Sequence, residues 1–240
     1  MTESLTESLT ESLTEPVKIT VACLDMAGTT VADDGSVIAA FSSAVEQFGL
    51  EPGTPAYTGA LAYVRQTMGQ SKIEVFRHIL DGREDAAQRA NEAFEEHYAR
   101  AVRAGEVAPL PHAEQTLAAL REAGIKICLA TGFSPVTRDA LLDALDWRPL
   151  VDLVLSPADA GRGRPWPDMP LTALMRLGGG AVSELAVAGD TASDVESGLR
   201  AGAGLVAGVL TGAASREDLE KAGAPVILDT IAGLLPLLGS

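Results

Sequence analysis

Short apolar runs, each ending at a polar or small residue, recur along this chain of 240 residues. Runs of this length that are rich in Val, Ile and Leu and lack polar alternation are typical of strands buried on both faces. They predict strands over residues 17–24, 125–130, 151–155, 185–189, 204–210 and 225–228. We therefore expect a parallel sheet.

Three- and four-residue spacing of apolar positions predicts helices between the later strands, over 112–123, 135–145, 168–177 and 193–201. This alternation indicates an α/β fold, a Rossmann-like parallel sheet covered by helices. Between the first and second strands the spacing is helical throughout, in runs over 37–48, 58–68, 73–80 and 84–103. We call residues 36–105 the helical insertion. The core then comprises 17–35 and 106–240.

The amino-terminal segment has a different character from the rest of the chain. Thr2-Glu3-Ser4-Leu5 repeats over 6–9 and 10–13, and Pro16 closes the segment. Its apolar stripe is thin and its other residues are acidic or polar, which favours a disordered or loosely helical tail over 1–16. We assign no chemistry to it.

Composition narrows the classes of partner. A net charge of −15 argues against nucleic acid, which needs clustered Lys and Arg, but allows a small anionic substrate held locally. No apolar run reaches the length of a membrane span, so no membrane partner is expected. Cys23 and Cys128 both lie in predicted strands and are expected to be buried thiols, which suits a reducing cytoplasm.

Four predicted strands end at a residue able to take part in chemistry, namely Asp25, Thr131, Ser156 and Asp190. The carboxyl ends of parallel strands meet at one edge of the sheet, where ligands gather. Asp194 follows Asp190 by one helical turn. Carboxylates brought together repel one another unless a hard cation lies between them, and Mg²⁺ suits this donor set. For each Asp alone, helix capping or a plain loop position remains an alternative.

Two further segments are suited to a phosphoryl group. Thr131-Gly132 offers a hydroxyl and backbone N–H groups at the end of a strand. Arg164 stands in a loop stiffened by Pro165 and Pro167, where its guanidinium could be fixed against a phosphate. A solvated loop arginine is the alternative.

Taken in chain order, these motifs resemble those of the haloacid dehalogenase superfamily, and within it the phosphonatase branch. They are Asp25-x-Ala27-Gly28-Thr29, Thr131-Gly132, Gly163-Arg164-Pro165 and Gly189-Asp190-Thr191-x-Ser193-Asp194. The resemblance covers the chain except its amino-terminal tail, and it implies that the helical insertion is the cap of that branch.

The resemblance also implies roles for these residues. Asp25 would attack phosphorus and form an aspartyl-phosphate. Mg²⁺ would be held by Asp25, the carbonyl of Ala27 and Asp190, with Asp194 acting through water or ordering the other ligands. Thr131 would bind the phosphoryl group and Arg164 would balance its charge. The substrate would further contact Gly28, Thr29, Met68 and Gly132.

Ala27 separates this chain from most phosphatases of the superfamily, which carry a second Asp at this position as a general acid. Alanine cannot donate a proton. In phosphonatase the same alanine accompanies a lysine in Met-Gly-x-x-Lys that forms a Schiff base with an aldehyde, and this chain has Met68-Gly69-Gln70-Ser71-Lys72. The resemblance therefore makes Lys72 the expected amine nucleophile, although an isolated helix lysine is ordinarily a solvated charge.

Two positions depart from the phosphonatase pattern. Val75 stands where a histidine is expected three residues after the lysine, with His78 one turn further on. Phe133 stands where an aromatic hydroxyl is expected. Both departures affect the identity of the substrate more than the class of reaction.

Three functions follow from this interpretation. The first is Mg²⁺-dependent hydrolysis of the C–P bond in phosphonoacetaldehyde or a related carbonyl phosphonate. The second is a phosphomonoesterase acting on a small phosphorylated metabolite. The third is a catalytically inactive protein that binds a phosphorylated ligand, against which the complete set of acidic residues argues. By resemblance alone, we also expect a homodimer formed through the insertion.

Overall fold

The computed structural model describes residues 18–33 and 35–238. Within them, six parallel strands form one sheet in the order β3-β2-β1-β4-β5-β6. The strands are β1 (Val21–Asp25), β2 (Lys126–Ala130), β3 (Leu153–Leu155), β4 (Leu185–Gly189), β5 (Leu205–Val209) and β6 (Val226–Leu228). The helices are α1 (Ser36–Glu46), α2 (Pro55–Gln66), α3 (Lys72–Ile79), α4 (Glu84–Arg103), α5 (Ala113–Glu122), α6 (Pro135–Ala144), α7 (Pro157–Ala160), α8 (Asp168–Leu177), α9 (Ala192–Ala201), α10 (Arg216–Lys221) and α11 (Leu235–Leu238).

Strand β1 is the centre of the sheet, between β2 and β4. Its residue Val21 is in register with Lys126 on one side and Leu185 on the other. All five of its residues are buried, as expected for a strand covered on both faces. The strand begins at Val21, later than the predicted 17–24, and it includes Asp25 as its last residue. The predicted parallel sheet and the α/β class are confirmed.

The helical insertion contains α1 to α4 and no strand among its described residues. An aromatic cluster joins three of its helices: the ring of Phe41 on α1 lies 4.9 Å from Phe76 on α3 and 4.7 Å from Phe94 on α4. Helix α2 starts earlier than predicted because Thr54 caps it and Pro55 is its first residue, and it ends at Gln66, two residues before the predicted end. Met68 consequently lies in the loop before α3.

Two short helices were not predicted, α7 and α10. Each begins with a capping box, formed by Ser156 with Asp159 and by Ser215 with Asp218. Helices of four and six residues contain too few apolar positions to show a period, so the capping residues were their only signal. After β6 the chain forms a 3₁₀ turn over Ile231–Leu234 and then the four residues of α11.

The insertion and the sheet share one apolar core. Phe41 and Phe94 from the insertion belong to the same buried cluster as Leu24 on β1 and Phe133 after β2. The insertion therefore packs against the edge where the strands end. Across the described residues, no helix is both long and apolar enough to cross a membrane. The predicted tail over 1–16 lies outside those residues.

Candidate active site

The carboxyl ends of three neighbouring strands place Asp25, Thr131 and Asp190 at one edge of the sheet. Asp25 ends β1, Thr131 follows β2 and Asp190 follows β4. Each is at most 5% exposed, and such burial is unusual for the carboxylates of Asp25 and Asp190. The convergence expected of a parallel sheet thus occurs at these positions.

Asp194 completes a cluster of three buried acids with Asp25 and Asp190. One carboxylate oxygen from each lies within 4.8 Å of the others. The pKa of each carboxyl is raised to about 6, chiefly by burial and in part by the charge of a neighbouring acid, as Asp190 does for Asp25. Without a cation these three carboxylates repel one another when ionised. Their oxygen atoms are the kind of donor that a hard metal ion such as Mg²⁺ prefers.

The backbone around Asp190 is shaped to admit its side chain. Thr29 donates its hydroxyl to Oδ1 at 2.9 Å, and the Ala213 amide donates to Oδ2 at 2.7 Å. A Cβ at Gly28 would lie 2.5 Å from Oδ2, and one at Gly212 would lie 2.0 Å from it. Only glycine fits at these two positions. Thr29 is fully buried with its hydroxyl bonded to Asp190, so its predicted contact with substrate stays a prediction.

Asp190 does not cap the following helix, which was the alternative to a site. Thr191 is the N-cap of α9, and Asp194 completes its capping box. The Oδ2 atom of Asp194 accepts from the Thr191 amide at 3.1 Å and from its hydroxyl at 2.5 Å. Its Oδ1 atom is left to face Arg164. Asp194 therefore combines a capping role with a place in the acidic cluster.

Arg164 is buried and connects the acids to the surrounding loops. Its Nη2 atom lies 2.6 Å from Oδ1 of Asp25, and its Nε atom lies 2.8 Å from Oδ1 of Asp194. It also donates to the carbonyls of Ala130 at 2.7 Å and Gly69 at 3.1 Å. Burial opposes its charge, but Asp194 and Asp25 outweigh burial and hold its pKa above the ordinary value.

The loop that precedes α3 lies directly on the core. The Lys72 amide donates to the carbonyl of Gly132 at 3.4 Å. A Cβ at Gly132 would lie 2.4 Å from the Gln70 carbonyl oxygen, and one at Gly69 would lie 2.5 Å from Oγ1 of Thr191. Gly69 also has φ of +82°, which disfavours other residues. These two glycines let the insertion approach the strand ends.

Lys72, the first residue of α3, is only 6% exposed. Its Nζ atom lies 5.9 Å from the ring centre of Phe41 and 5.1 Å from that of Phe133. Burial lowers the pKa of Lys72, and the charge of Asp25 opposes this only in part. Within residues 18–33 and 35–238, the lysines that form a salt bridge within 4.0 Å are Lys126 and Lys221, so Nζ of Lys72 has no such partner there. The solvated-lysine alternative is excluded for this side chain.

A cavity of about 320 Å³ lies between the insertion and the strand ends. It is lined by most of the residues predicted for the site, namely Asp25, Ala27, Gly28, Met68, Lys72, Thr131, Gly132, Arg164 and Asp190. Sequence reasoning missed Asp33, Arg65 and Thr211, which also line it. Asp33 and Arg65 carry no motif, and Thr211 follows a strand whose end was not singled out. The volume suits a small metabolite.

His78 lies away from this cavity. It is exposed, and its ring stacks on Tyr63 at 3.8 Å. Val75, which stands where the phosphonatase pattern has histidine, is 1% exposed and packs in the shared core. Nothing in the geometry makes His78 a substitute for that histidine.

Comparison with known proteins identifies the family. The family model for haloacid dehalogenase-like hydrolases matches residues 19–202. The chain belongs to this family of hydrolases, which agrees with the resemblance of its motifs.

One curated relative and two solved structures show what the chain is similar to within this family. The chain is 28% identical to the phosphonoacetaldehyde hydrolase of Bordetella pertussis, with 93% of this chain and 92% of that protein aligned. It superposes on a phosphonoacetaldehyde hydrolase-like protein from Oleispira antarctica with a TM-score of 0.77 and 26% identity, covering 93% and 92% of the two chains. A protein assigned as a phosphoglycolate phosphatase from Lactobacillus delbrueckii gives a TM-score of 0.76 at 21% identity, covering 93% and 100%, which shows the shared fold alone.

Proposed function

We propose that this hydrolase cleaves the C–P bond of phosphonoacetaldehyde or a related carbonyl phosphonate. The observation that carries the proposal is the buried Lys72, whose lowered pKa leaves a nucleophilic amine in the same cavity as Asp25. Hydrolysis of a phosphate ester does not require an amine, whereas C–P cleavage of a carbonyl phosphonate through an imine does. The name of the Bordetella pertussis relative agrees with this substrate class.

In this proposal Asp25 is the nucleophile on phosphorus. Arg164 holds Oδ1 of Asp25, which fixes the carboxylate at the end of β1 and leaves Oδ2 to attack. The hydroxyl and backbone of Thr131 receive the phosphoryl oxygens. Mg²⁺, held by Asp25, the Ala27 carbonyl and Asp190 with the help of Asp194, would neutralise charge on the transferring group.

Lys72 would supply the electron sink that a C–P bond needs to break. The neutral amine adds to the substrate aldehyde, and loss of water with uptake of one proton from solvent gives a protonated imine. As Asp25 takes the phosphoryl group, the C–P electron pair moves into the imine and leaves an enamine on Lys72. Protonation at carbon and addition of water release acetaldehyde and free Lys72. A second water hydrolyses the aspartyl-phosphate to phosphate.

Ala27 fits this scheme because the leaving group is a carbon conjugated to the imine. No alkoxide forms, so no acid is needed at residue 27. The apolar side chains of Phe41 and Phe133 around Nζ keep water away from the amine and favour its neutral form.

The decisive experiment incubates the protein with phosphonoacetaldehyde and Mg²⁺, then adds borohydride. We expect phosphate release and a reduced adduct that peptide mass spectrometry locates on Lys72. Lys72→Arg should lose both, and Lys221→Arg, a surface lysine paired with Glu217, is the matched control. Phosphonate hydrolysis that survives Lys72→Arg, with no adduct in the wild type, would overturn the Schiff-base step.

A phosphomonoesterase is the second candidate, because the fold neighbours include a protein assigned as a phosphoglycolate phosphatase. It predicts hydrolysis of small phosphate esters that Lys72→Arg leaves largely intact, with no activity on phosphonoacetaldehyde. Asp25→Asn should abolish turnover under either function. A protein inert towards both classes of substrate would favour a role in binding alone.

A further inference from the structure

Glu95, on α4 of the helical insertion, reaches across to the core and binds the start of α6. Its Oε1 atom accepts from the Ser134 amide at 3.1 Å, and its Oε2 atom accepts from the Ser134 hydroxyl at 2.7 Å. The Thr137 hydroxyl donates to the same Oε2. Ser134 is the N-cap residue of α6, so the carboxylate meets the positive end of a helix dipole.

This engagement distinguishes Glu95 from the next acid on the same helix. The side chain of Glu96 is 72% exposed and contacts Arg100 one turn away at 3.3 Å, an ordinary surface pair. Glu95 instead has both oxygens occupied by donors from another part of the chain. Such charge-assisted bonds are stronger than a surface ion pair.

The loop that Glu95 fixes is the one on which Lys72 rests. Ser134 directly follows Gly132 and Phe133, and these two contact Lys72 through the Gly132 carbonyl and the Phe133 ring. Tyr98, one turn after Glu95 on α4, packs its ring 4.5 Å from that of Phe133. Helix α4 therefore holds the loop by a polar contact at one end and an aromatic contact at the other.

From this geometry we propose that Glu95 is a positioning residue for Lys72. By joining α4 to the start of α6, it sets the Gly132–Phe133 segment that supports the Lys72 amine over the active-site cavity. The inference rests on the proposed role of Lys72. It assigns to Glu95 no contact with substrate.

Glu95 also acts on Lys72 through its charge, together with three other groups. Burial has the largest effect and lowers the pKa of Lys72, as Arg164 does, whereas Asp25, Glu95 and Asp33 raise it. Removing the charge of Glu95 should therefore lower the pKa of the amine further. A purely structural contact would leave that pKa unchanged.

The experiment compares Glu95→Gln with Glu96→Gln as the matched control. Borohydride-trapped adduct on Lys72 is measured against pH with phosphonoacetaldehyde, and p-nitrophenyl phosphate serves as a substrate that needs no amine. In Glu95→Gln we expect adduct formation at saturating pH to fall at least about tenfold. The rising limb of its pH profile, on which the amine loses its proton, should move to lower pH, and aryl phosphate hydrolysis should stay within about twofold of wild type. Glu96→Gln should match wild type in all three.

Ser134→Ala tests the same contact from the core side. It keeps the charge of Glu95, so we expect slower adduct formation without movement of the pH limb. Equal adduct rates and equal limbs in Glu95→Gln and Glu96→Gln would overturn the inference while leaving the role of Lys72 intact. A wild type that forms no adduct would instead overturn the proposed function, and this inference with it.

Discussion

Replacing Asp25 with asparagine should make the metal-free protein more stable at neutral pH. Asp25 is only 5% exposed, and its pKa of about 6 lies above the ordinary value of 3.8. The fold thus penalises the ionised form more than Arg164 compensates. Asparagine has nearly the same shape, stays neutral, and can still accept from Arg164 through Oδ1.

The magnitude follows from the size of the pKa shift. A shift of about 2 units at 1.36 kcal/mol per unit corresponds to about 3 kcal/mol. A raised folded-state pKa means that the native state holds its proton more tightly than the unfolded chain. The stabilisation that the protonated Asp25 carboxyl contributes is therefore fully present below about pH 4, and it is lost as pH rises through about 6. The advantage of Asp25→Asn should grow from near zero to about 3 kcal/mol across that window.

Urea unfolding in EDTA, followed through the fluorescence of the buried Trp147, measures this difference at pH 4 and pH 7.5. Asp229→Asn, at a side chain 93% exposed, is the control and should match wild type. The reasoning is refuted if Asp25→Asn gains nothing at pH 7.5 without metal. It is also refuted if the difference between the two proteins does not change with pH.

Three more predictions concern the acidic cluster, the Gly132 contact and the buried Trp147. Saturating Mg²⁺ should raise the thermal midpoint of the wild type in calorimetry, because a ligand at 100 times its Kd adds about 2.7 kcal/mol to the free energy of unfolding. Asp190→Asn should lose most of this shift. Gly132→Ala should raise KM for the phosphonate several-fold in steady-state assays, because the new Cβ would lie 2.4 Å from the Gln70 carbonyl oxygen; unchanged KM would contradict this contact. Glu114→Ala should lower the free energy of unfolding by about 1–3 kcal/mol in urea titrations, because it leaves Nε1 of the buried Trp147 without its acceptor at 2.9 Å.

The strand ends were the most predictable part of this site. Asp25 and Asp190 each close an apolar run, and the geometry of a parallel sheet requires such ends to meet. The positions of nearby residues could be predicted from these two, since Gly28 and Thr29 directly follow β1 and Asp194 lies in the first turn of α9. For these residues, the apolar pattern locates the end of each strand, and the parallel topology brings the ends together.

The contacts made by the insertion could not be predicted in the same way. Helical periodicity shows which face of α4 is apolar, but it does not tell which core residue Glu95 meets 39 positions later. Lys72 emerged only from the resemblance of its motif, because residue type alone favours a solvated position. The burial that lowers the pKa of Lys72 involves the rings of Phe41 and Phe133, which are distant from it in sequence.

The central place of β1 in the sheet has a consequence for synthesis on the ribosome. Its two partner strands, β2 and β4, begin at Lys126 and Leu185, so β1 emerges long before either. The helices that follow it make local contacts and should form first, since helical structure closes faster than distant strand pairing. During translation β1 would have both edges unpaired while the helical insertion beside it was already nearly complete. We expect nascent chains stalled before β2 to be the form most prone to aggregation and to bind chaperones.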